Sequence, residues 1–217
     1  MLLDLCVWPL ICLFPCFLLR LGRNFTCGPP VILVHGDCGS ATHWEPGLWT
    51  FCPSGNPSTF RYQANKHTSI FVDLRDELGK ALDRVLAQSG QERAYLIGHG
   101  MGGLVAAALA QSRPNQVEGV VTICSPWMGV PAMKYLDFNA VRYDEMMPGS
   151  PGLRSLCHGV SAGPRLLCIS ARWDAVLGQG DAQPPVPHQR AEVYAGHVSA
   201  LYVPATWQAI WKFMRRF

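Results

Sequence analysis

The 217-residue sequence has few charged residues and no long run of basic ones. Charged side chains make up 15% of the chain, the formal net charge is +3, and hydrophobic residues make up 49%. This composition excludes an intrinsically disordered chain and suits one domain with a substantial core. Because Lys and Arg are scattered, no basic stripe could follow nucleic-acid phosphates. We therefore expect no nucleic-acid partner.

Metal-binding motifs are also missing. The sequence has no CxxC pair, no HExxH and no acidic metal loop, so it predicts no metal site and no cofactor. The nine cysteines form no disulfide framework, because their number is odd and their spacing irregular. Cys124 and Cys168 end buried apolar runs, where a thiol behaves as a small hydrophobe. The cysteines left open to pairing are Cys27, Cys38, Cys52 and Cys157.

A nearly continuous apolar run occupies residues 2–19. It is short for a membrane-spanning helix, and it lacks the positive start and small-residue cleavage site of a secretory signal. Three interpretations stay open: a membrane anchor, a cleaved signal, or a segment packed on the domain. The first implies membrane association through residues 2–19, and the alternative is a cytoplasmic protein. We treat residues 1–28 as a separate N-terminal segment and residues 29–217 as the domain.

Buried runs alternate with amphipathic stretches from residue 29 onward, which is typical of a parallel sheet. Strands are predicted at residues 31–34, 94–97, 117–124, 166–170 and 191–194. Helices are predicted from a cap at Thr68 or Ser69 to Ser89, from Met101 to Gln111, and at the C-terminus. Residues 38–67 and 125–164 show no clear element. The fold class is therefore α/β, with about five or six mostly parallel strands and helices on both faces.

The most informative stretch runs from Gly98 to Gly102, with the sequence Gly-His-Gly-Met-Gly. A buried strand leads directly into a helix through this turn, which is the context of the nucleophile motif G-x-S-x-G. Flanking glycines are needed because a side chain there would strike neighbouring strands. The central position, where the motif has serine, is Gly100.

This stretch resembles the nucleophile elbow of the α/β-hydrolase superfamily, and is similar to compact bacterial triacylglycerol lipases, whose usual form is G-H-S-M-G-G. The resemblance spans roughly residues 30–217 and implies a minimal lipase/esterase fold. In the family, an HG-x turn after the first strand supplies one oxyanion-hole N–H, and the residue after the nucleophile supplies the other. By position these donors are Asp37, in His35-Gly36-Asp37, and Met101. Asp37 departs from the apolar residue usual in the family.

The resemblance also implies an acid and a base. Asp174 follows the fourth predicted strand, where the family keeps its triad acid, and Asp181 in the same loop is the alternative. His197 follows the last strand, where the family keeps its histidine, and the order elbow, acid, base is that of the superfamily.

Two turns support the lipase subtype. Residues 125–129 resemble a T-P-H-x-G turn, and residues 147–151 resemble a G-S-P segment ahead of a short helix. Residues 125–164 would form a cap-like segment whose Trp, Met, Tyr and Phe side chains suit an acyl chain, or simply form core.

Glycine offers no oxygen to attack an ester, so three hypotheses stay open. The first is a pseudoenzyme that binds an acyl or lipid-like ester ligand, since glycine adopts the strained elbow conformation without cost. The second is an active Ser-Asp-His ester hydrolase whose serine has been substituted by Gly100. The third is another nucleophile, for which Cys38 and Ser125 are the candidates.

Overall fold

A six-stranded parallel sheet forms the centre of the structure. The structure is a computed structural model that describes residues 29–36, 39–51, 58–61, 69–131, 141–160, 163–178, 180–186 and 188–215. The strands are β1 (Val31–Val34), β2 (Ser58–Phe60), β3 (Ala94–His99), β4 (Val117–Ile123), β5 (Arg165–Ala171) and β6 (Gln189–Val193). The predicted fold class is confirmed.

The strand order is β2-β1-β3-β4-β5-β6, so the chain reverses its direction of progress across the sheet between β1 and β3. Crevices at such a reversal, outside the carboxyl ends of the strands, are where open α/β sheets bind ligands. The segment after β1 and the Gly98–Gly102 turn after β3 therefore meet at one place. This topology positions the candidate site.

Five α-helices are described: α1 (Glu45–Phe51), α2 (Arg75–Ser89), α3 (Met101–Ser112), α4 (Pro151–Val160) and α5 (Pro204–Met214). A π-helical turn, Ile70–Leu74, leads into α2, and 3-10 turns occupy Ala41–Trp44, Val141–Met146 and Ser199–Tyr202. The predicted cap at Ser69 is confirmed, because its Oγ accepts the N–H of Val72 at 3.1 Å. Gly90 ends α2 in the left-handed conformation, with φ of 66°.

Two apolar clusters cover the two faces of the sheet. One contains Leu96, Leu104 and Trp127 between the sheet, α2, α3 and α4, and the other contains Leu33, Tyr95 and Trp207 between the sheet and α5. Helix α3 is buried all around its first ten residues, which explains why its sequence is small and apolar rather than amphipathic.

Several sequence predictions need correction. Residues 38–67 were expected to hold no element, yet they contain the Ala41–Trp44 turn, α1 and β2. Cys157 was expected to be open to pairing, but it is buried on α4, outside any disulfide, and its Sγ donates to the carbonyl of Trp127 at 3.8 Å. Cys124 and Cys168 are buried as expected.

Two predicted segments lie wholly or partly outside the described residues. Of the cap-like segment, residues 132–140 are not described, and the flanking Trp127 and Met146 pack in the core. The N-terminal residues 1–28 are not described either, so their separation from the domain stays a prediction. Within the part of the chain that the structure covers, no helix is long and apolar enough to cross a membrane.

Candidate active site

The turn from Gly98 to Gly102 joins β3 to α3 at the carboxyl edge of the sheet. A Cβ on Gly98 would overlap the backbone of Gly102 and Gly103, and a Cβ on Gly102 would overlap the carbonyls of Val34 and His35. Both positions therefore require glycine. The expected contact with a neighbouring strand is confirmed at Gly102, whereas at Gly98 the contact is with the turn itself and the start of α3.

Gly100 has a different environment from the two glycines that flank it. Its φ of 54° and ψ of −128° are uncommon for residues with a side chain. Among the described residues, a Cβ built there would meet only ordinary contacts, at 3.7 Å from Gly36 Cα and 3.7 Å from His197 Nε2. The backbone is thus strained for other residues, but space for a small side chain exists between the turn and His197.

The His35-Gly36 turn after β1 lies beside this space. A Cβ on Gly36 would stand only 3.2 Å from His99 Nδ1 and 3.3 Å from the His99 carbonyl, so glycine allows the close approach. Asp37, the expected first oxyanion donor, lies outside the described residues. Met101, the expected second donor, is the first residue of α3, where a backbone N–H has no acceptor within the helix.

The predicted contact between Asp174 and His197 is confirmed. Nδ1 of His197 lies 2.8 Å from Asp174 Oδ2 and 3.1 Å from Oδ1, and both side chains are largely buried. The other ring nitrogen, Nε2, points to Gly100. The loop after β5 fixes the carboxylate, because Oδ1 also accepts the N–H groups of Val176 at 2.8 Å and Leu177 at 2.9 Å.

These contacts set the charge of Asp174. Burial alone would raise the pKa of its carboxyl, but the hydrogen bond and charge of His197 and the N–H groups of Leu177 and Val176 outweigh burial. The pKa of Asp174 is therefore below its usual value. An ionised Asp174 can only accept, so Nδ1 of His197 donates and the lone pair of a neutral ring is on Nε2, facing Gly100.

Known proteins share this architecture. The sequence matches the family model described as "alpha/beta hydrolase fold" over residues 51–145, which include Gly100 but neither Asp174 nor His197. The order of the sheet, the glycine turn and the Asp–His pair agree with that match. The chain has the α/β-hydrolase fold.

Two curated relatives show what this chain is similar to. It is 29% identical over 135 residues to the sn-1-specific diacylglycerol lipase ABHD11 of Xenopus laevis, covering 58% of this chain and 43% of the relative. It is 27% identical over 116 residues to a pimeloyl-[acyl-carrier protein] methyl ester esterase of Vibrio campbellii, covering 50% of this chain and 44% of the relative. The chain thus spans less than half the length of these relatives.

Solved structures extend the likeness in fold over most of the chain. Carboxylesterase CesB from Bacillus subtilis has a TM-score of 0.62 at 17% identity, over 89% of this chain and 86% of that one. The lipase BlEst2 from Bacillus licheniformis has a TM-score of 0.65 at 14% identity, over 88% of this chain and 94% of that one. At these identities the likeness is one of fold.

The alternative acid and the alternative nucleophiles that the sequence offered do not take part in the contact between Asp174 and His197 described above. Oδ2 of Asp181, the alternative acid, accepts the N–H of Gly178 at 3.0 Å. Oγ of Ser125 is buried against Gly103 and has no hydrogen-bond partner among the described residues. Cys38 is outside the described residues. Of the two acids, the structure therefore brings Asp174 to His197.

Two residues have contacts at the site that the sequence did not indicate: His99 was expected only as part of the elbow with Gly98 and Gly102, and Cys124 only as the end of a buried strand. His99 is fully buried, and its Nε2 donates to the backbone carbonyl of His197 at 3.0 Å. Cys124 directly follows β4 and has a φ of 48°. Its Sγ, a carboxylate oxygen of Asp174 and a ring nitrogen of His197 lie within 4.8 Å of one another. Only the pairing of β4 with β3 and β5 brings Cys124 to this edge.

Proposed function

We propose that this α/β-hydrolase is a pseudoenzyme that binds an acyl or lipid-like ester ligand with its carbonyl over Gly100 and forms no acyl-enzyme. The observation that carries the proposal is the oriented Asp174–His197 pair, whose free nitrogen faces a glycine. The names of the relatives, a diacylglycerol lipase and a methyl ester esterase, support the class of ligand.

The roles in the proposal follow from the geometry of each group. In ester hydrolysis of this type, a histidine takes the proton of a serine Oγ as that oxygen attacks the carbonyl, and an acid orients the ring. His197 and Asp174 would supply those roles, but Gly100 has no oxygen to activate. The step that forms the acyl-enzyme is therefore missing, while the groups around the carbonyl are retained.

We propose Met101 and Asp37 as the donors that hold the ligand carbonyl. The N–H of Met101 lies at the start of α3, where the helix end favours negative charge. Asp37 follows the His35-Gly36 turn, which lies against the glycine turn as the family pattern requires. A carbonyl held by such donors is polarised even when no nucleophile follows, so binding and hydrolysis are separable.

The experiment is a calorimetric titration of the protein with a non-hydrolysable long-chain ether or ketone analogue of an ester. Saturable one-to-one binding is expected for the wild-type chain. Gly100→Leu fills the space beside His197 and should abolish binding. Gly90→Leu is the matched control, because Gly90 also has a positive φ of 66° but meets nothing within 4 Å. Equal binding by the wild type and both variants would show that the ligand does not bind beside Gly100, which contradicts the proposal.

A fluorophosphonate probe gives an independent result. Such probes form a covalent bond with an activated serine, so intact mass spectrometry should show no adduct on the wild-type chain. Stoichiometric labelling would reveal a nucleophile elsewhere and contradict the proposal.

A second candidate function is an active serine ester hydrolase whose natural sequence has serine at position 100. The space for a small side chain between Gly100 and His197 favours it. Reading codon 100 from genomic DNA of the source organism separates the two candidates. A glycine codon supports the pseudoenzyme, and a serine codon supports the enzyme.

We also propose membrane association through residues 2–19, on the basis of their apolar sequence. A lipid-like ligand is most concentrated in a membrane, so an anchored domain would meet it there. The alternative of a cytoplasmic protein requires the same residues to pack on the domain.

A further inference from the structure

Side chains of three different types that can bind a metal lie close together at the carboxyl edge of the sheet. Sγ of Cys124, a carboxylate oxygen of Asp174 and a ring nitrogen of His197 all lie within 4.8 Å of one another. They come from three segments of the chain, after β4, β5 and β6. The ring nitrogen on the Asp174 side is Nδ1, since it already lies 2.8 Å from Oδ2. We propose that Cys124, Asp174 and His197 form a binding site for a divalent transition-metal ion of the Zn²⁺ type.

The donor set decides the class of ion. Thiolate, imidazole and carboxylate together suit Zn²⁺ or Co²⁺, whereas Mg²⁺ and Ca²⁺ prefer oxygen ligands only. A tetrahedral Zn²⁺ at about 2.0–2.3 Å from each donor needs its ligand atoms roughly 3.3–3.8 Å apart. In the structure, Nδ1 of His197 and Oδ2 of Asp174 are 2.8 Å apart, and no two of the three ligand atoms are more than 4.8 Å apart. The observed distances therefore lie on both sides of the required range. Shifts of about an ångström or less would therefore form the site.

The backbone holds these ligands in place. Asp174 is fixed by two N–H groups, and the carbonyl of His197 is held by His99. The N–H of Cys124 donates to the carbonyl of Ile169 at 2.8 Å, and its φ of 48° is rare for a residue with a side chain. Conformations of this kind persist where the surroundings determine them, and they occur often at functional sites.

Binding can be written with its protons balanced. The thiol of Cys124 loses its proton to solvent, and the proton on Nδ1 of His197 moves to Nε2, so Nδ1 offers its lone pair to the metal. Cys124 and Asp174 then bring two negative charges to a 2+ ion, which leaves the buried site neutral. The bound ion takes the place of the proton between His197 and Asp174. The metal site does not depend on ester binding, so an experiment can refute either proposal without refuting the other.

The test is an anaerobic titration of the metal-free, reduced full chain with Co²⁺, read by absorbance. Co²⁺ bound by thiolate in a tetrahedral site gives an intense charge-transfer band and strong visible d–d bands. One equivalent should bind and be displaced by Zn²⁺. Cys124→Ser and His197→Ala should each weaken binding by at least about 100-fold, since even outer-shell losses cost about 10–100-fold.

Cys157→Ser is the matched control, because Cys157 is also buried but lies on α4 in the core cluster on the other side. Circular dichroism confirms the fold of each variant. The proposal is supported if the bands disappear in Cys124→Ser and His197→Ala and remain in Cys157→Ser. Absence of a charge-transfer band in the wild-type chain, or its persistence in Cys124→Ser, would overturn it.

Discussion

Nε2 of the buried His99 donates a hydrogen bond of 3.0 Å to the backbone carbonyl of His197. The two rings also lie with their centroids 4.9 Å apart. His99 belongs to the glycine turn and His197 to the loop after β6, so this bond links the two segments that must stay aligned. The hydrogen bond requires a proton on Nε2, and in the neutral ring the lone pair is then on Nδ1.

The pKa of His99 is lowered to about 3, and burial is the largest cause. The charges of His197 and His43 act in the same direction, whereas the hydrogen bond to His197 and the charge of Asp174 oppose the shift. An unfolded chain takes up the proton below its ordinary value of 6.5, but the folded chain does not until about pH 3. The free energy of unfolding should therefore fall by about 1.4 kcal/mol per pH unit as pH decreases through this window.

His99→Gln tests that expectation, because the amide can donate to the same carbonyl but does not titrate. Between pH 7 and pH 5, urea unfolding of the wild-type chain in metal-free buffer should lose about 2 kcal/mol more than the variant loses. Equal losses in the two proteins would show that His99 is not the group responsible.

The three glycines of the turn should respond differently to alanine. Gly98→Ala and Gly102→Ala place a Cβ against backbone atoms that cannot yield easily, so each should lower the free energy of unfolding by more than about 3 kcal/mol. Gly100→Ala adds strain without a clash and should cost about 1–3 kcal/mol. Denaturant midpoints give the ranking, and an order with Gly100→Ala as the most damaging change would be inconsistent with the described turn.

Residues 2–19 should direct the full chain to membranes. High-speed centrifugation of a cell lysate should place the full-length protein in the pellet and a chain that begins near Gly28 in the supernatant. Detergent, but not carbonate or high salt, should release the full-length protein. If it stays in the supernatant with residues 2–19 present, these residues pack on the domain instead.

The glycine turn could be predicted from the sequence because its constraints are local. Close backbone contacts leave glycine as the only residue that fits at positions 98 and 102. The glycine spacing can therefore be recognised in a single sequence. Asp174 and His197 could be predicted because their order after successive strands resembles a known family. The resemblance, rather than composition, supplied their roles.

Other features depend on tertiary structure and gave no local signal. Strand β2 has three residues and only Phe60 buried, so no alternation distinguishes it from a loop. Cys124 reads as the end of a buried strand, and Asp174 and His197 follow it 50 and 73 residues later. Only the parallel pairing of β4 with β5 and the return of the chain after β6 place the three together.

Gly100→Ser tests the central claim, which is that this site lacks only a nucleophile. A Cβ there stands 3.7 Å from His197 Nε2, so the new Oγ can come within hydrogen-bond distance of that nitrogen. Hydrolysis of short- and long-chain p-nitrophenyl esters should be compared with that of Gly100→Ala, which has the same backbone strain without the oxygen, and of Gly100→Ser with His197→Ala. We predict that Gly100→Ser gains at least about 10³-fold in turnover and that both controls remain at the wild-type level. A folded Gly100→Ser that is inert on every ester, or a gain that survives His197→Ala, would contradict the account.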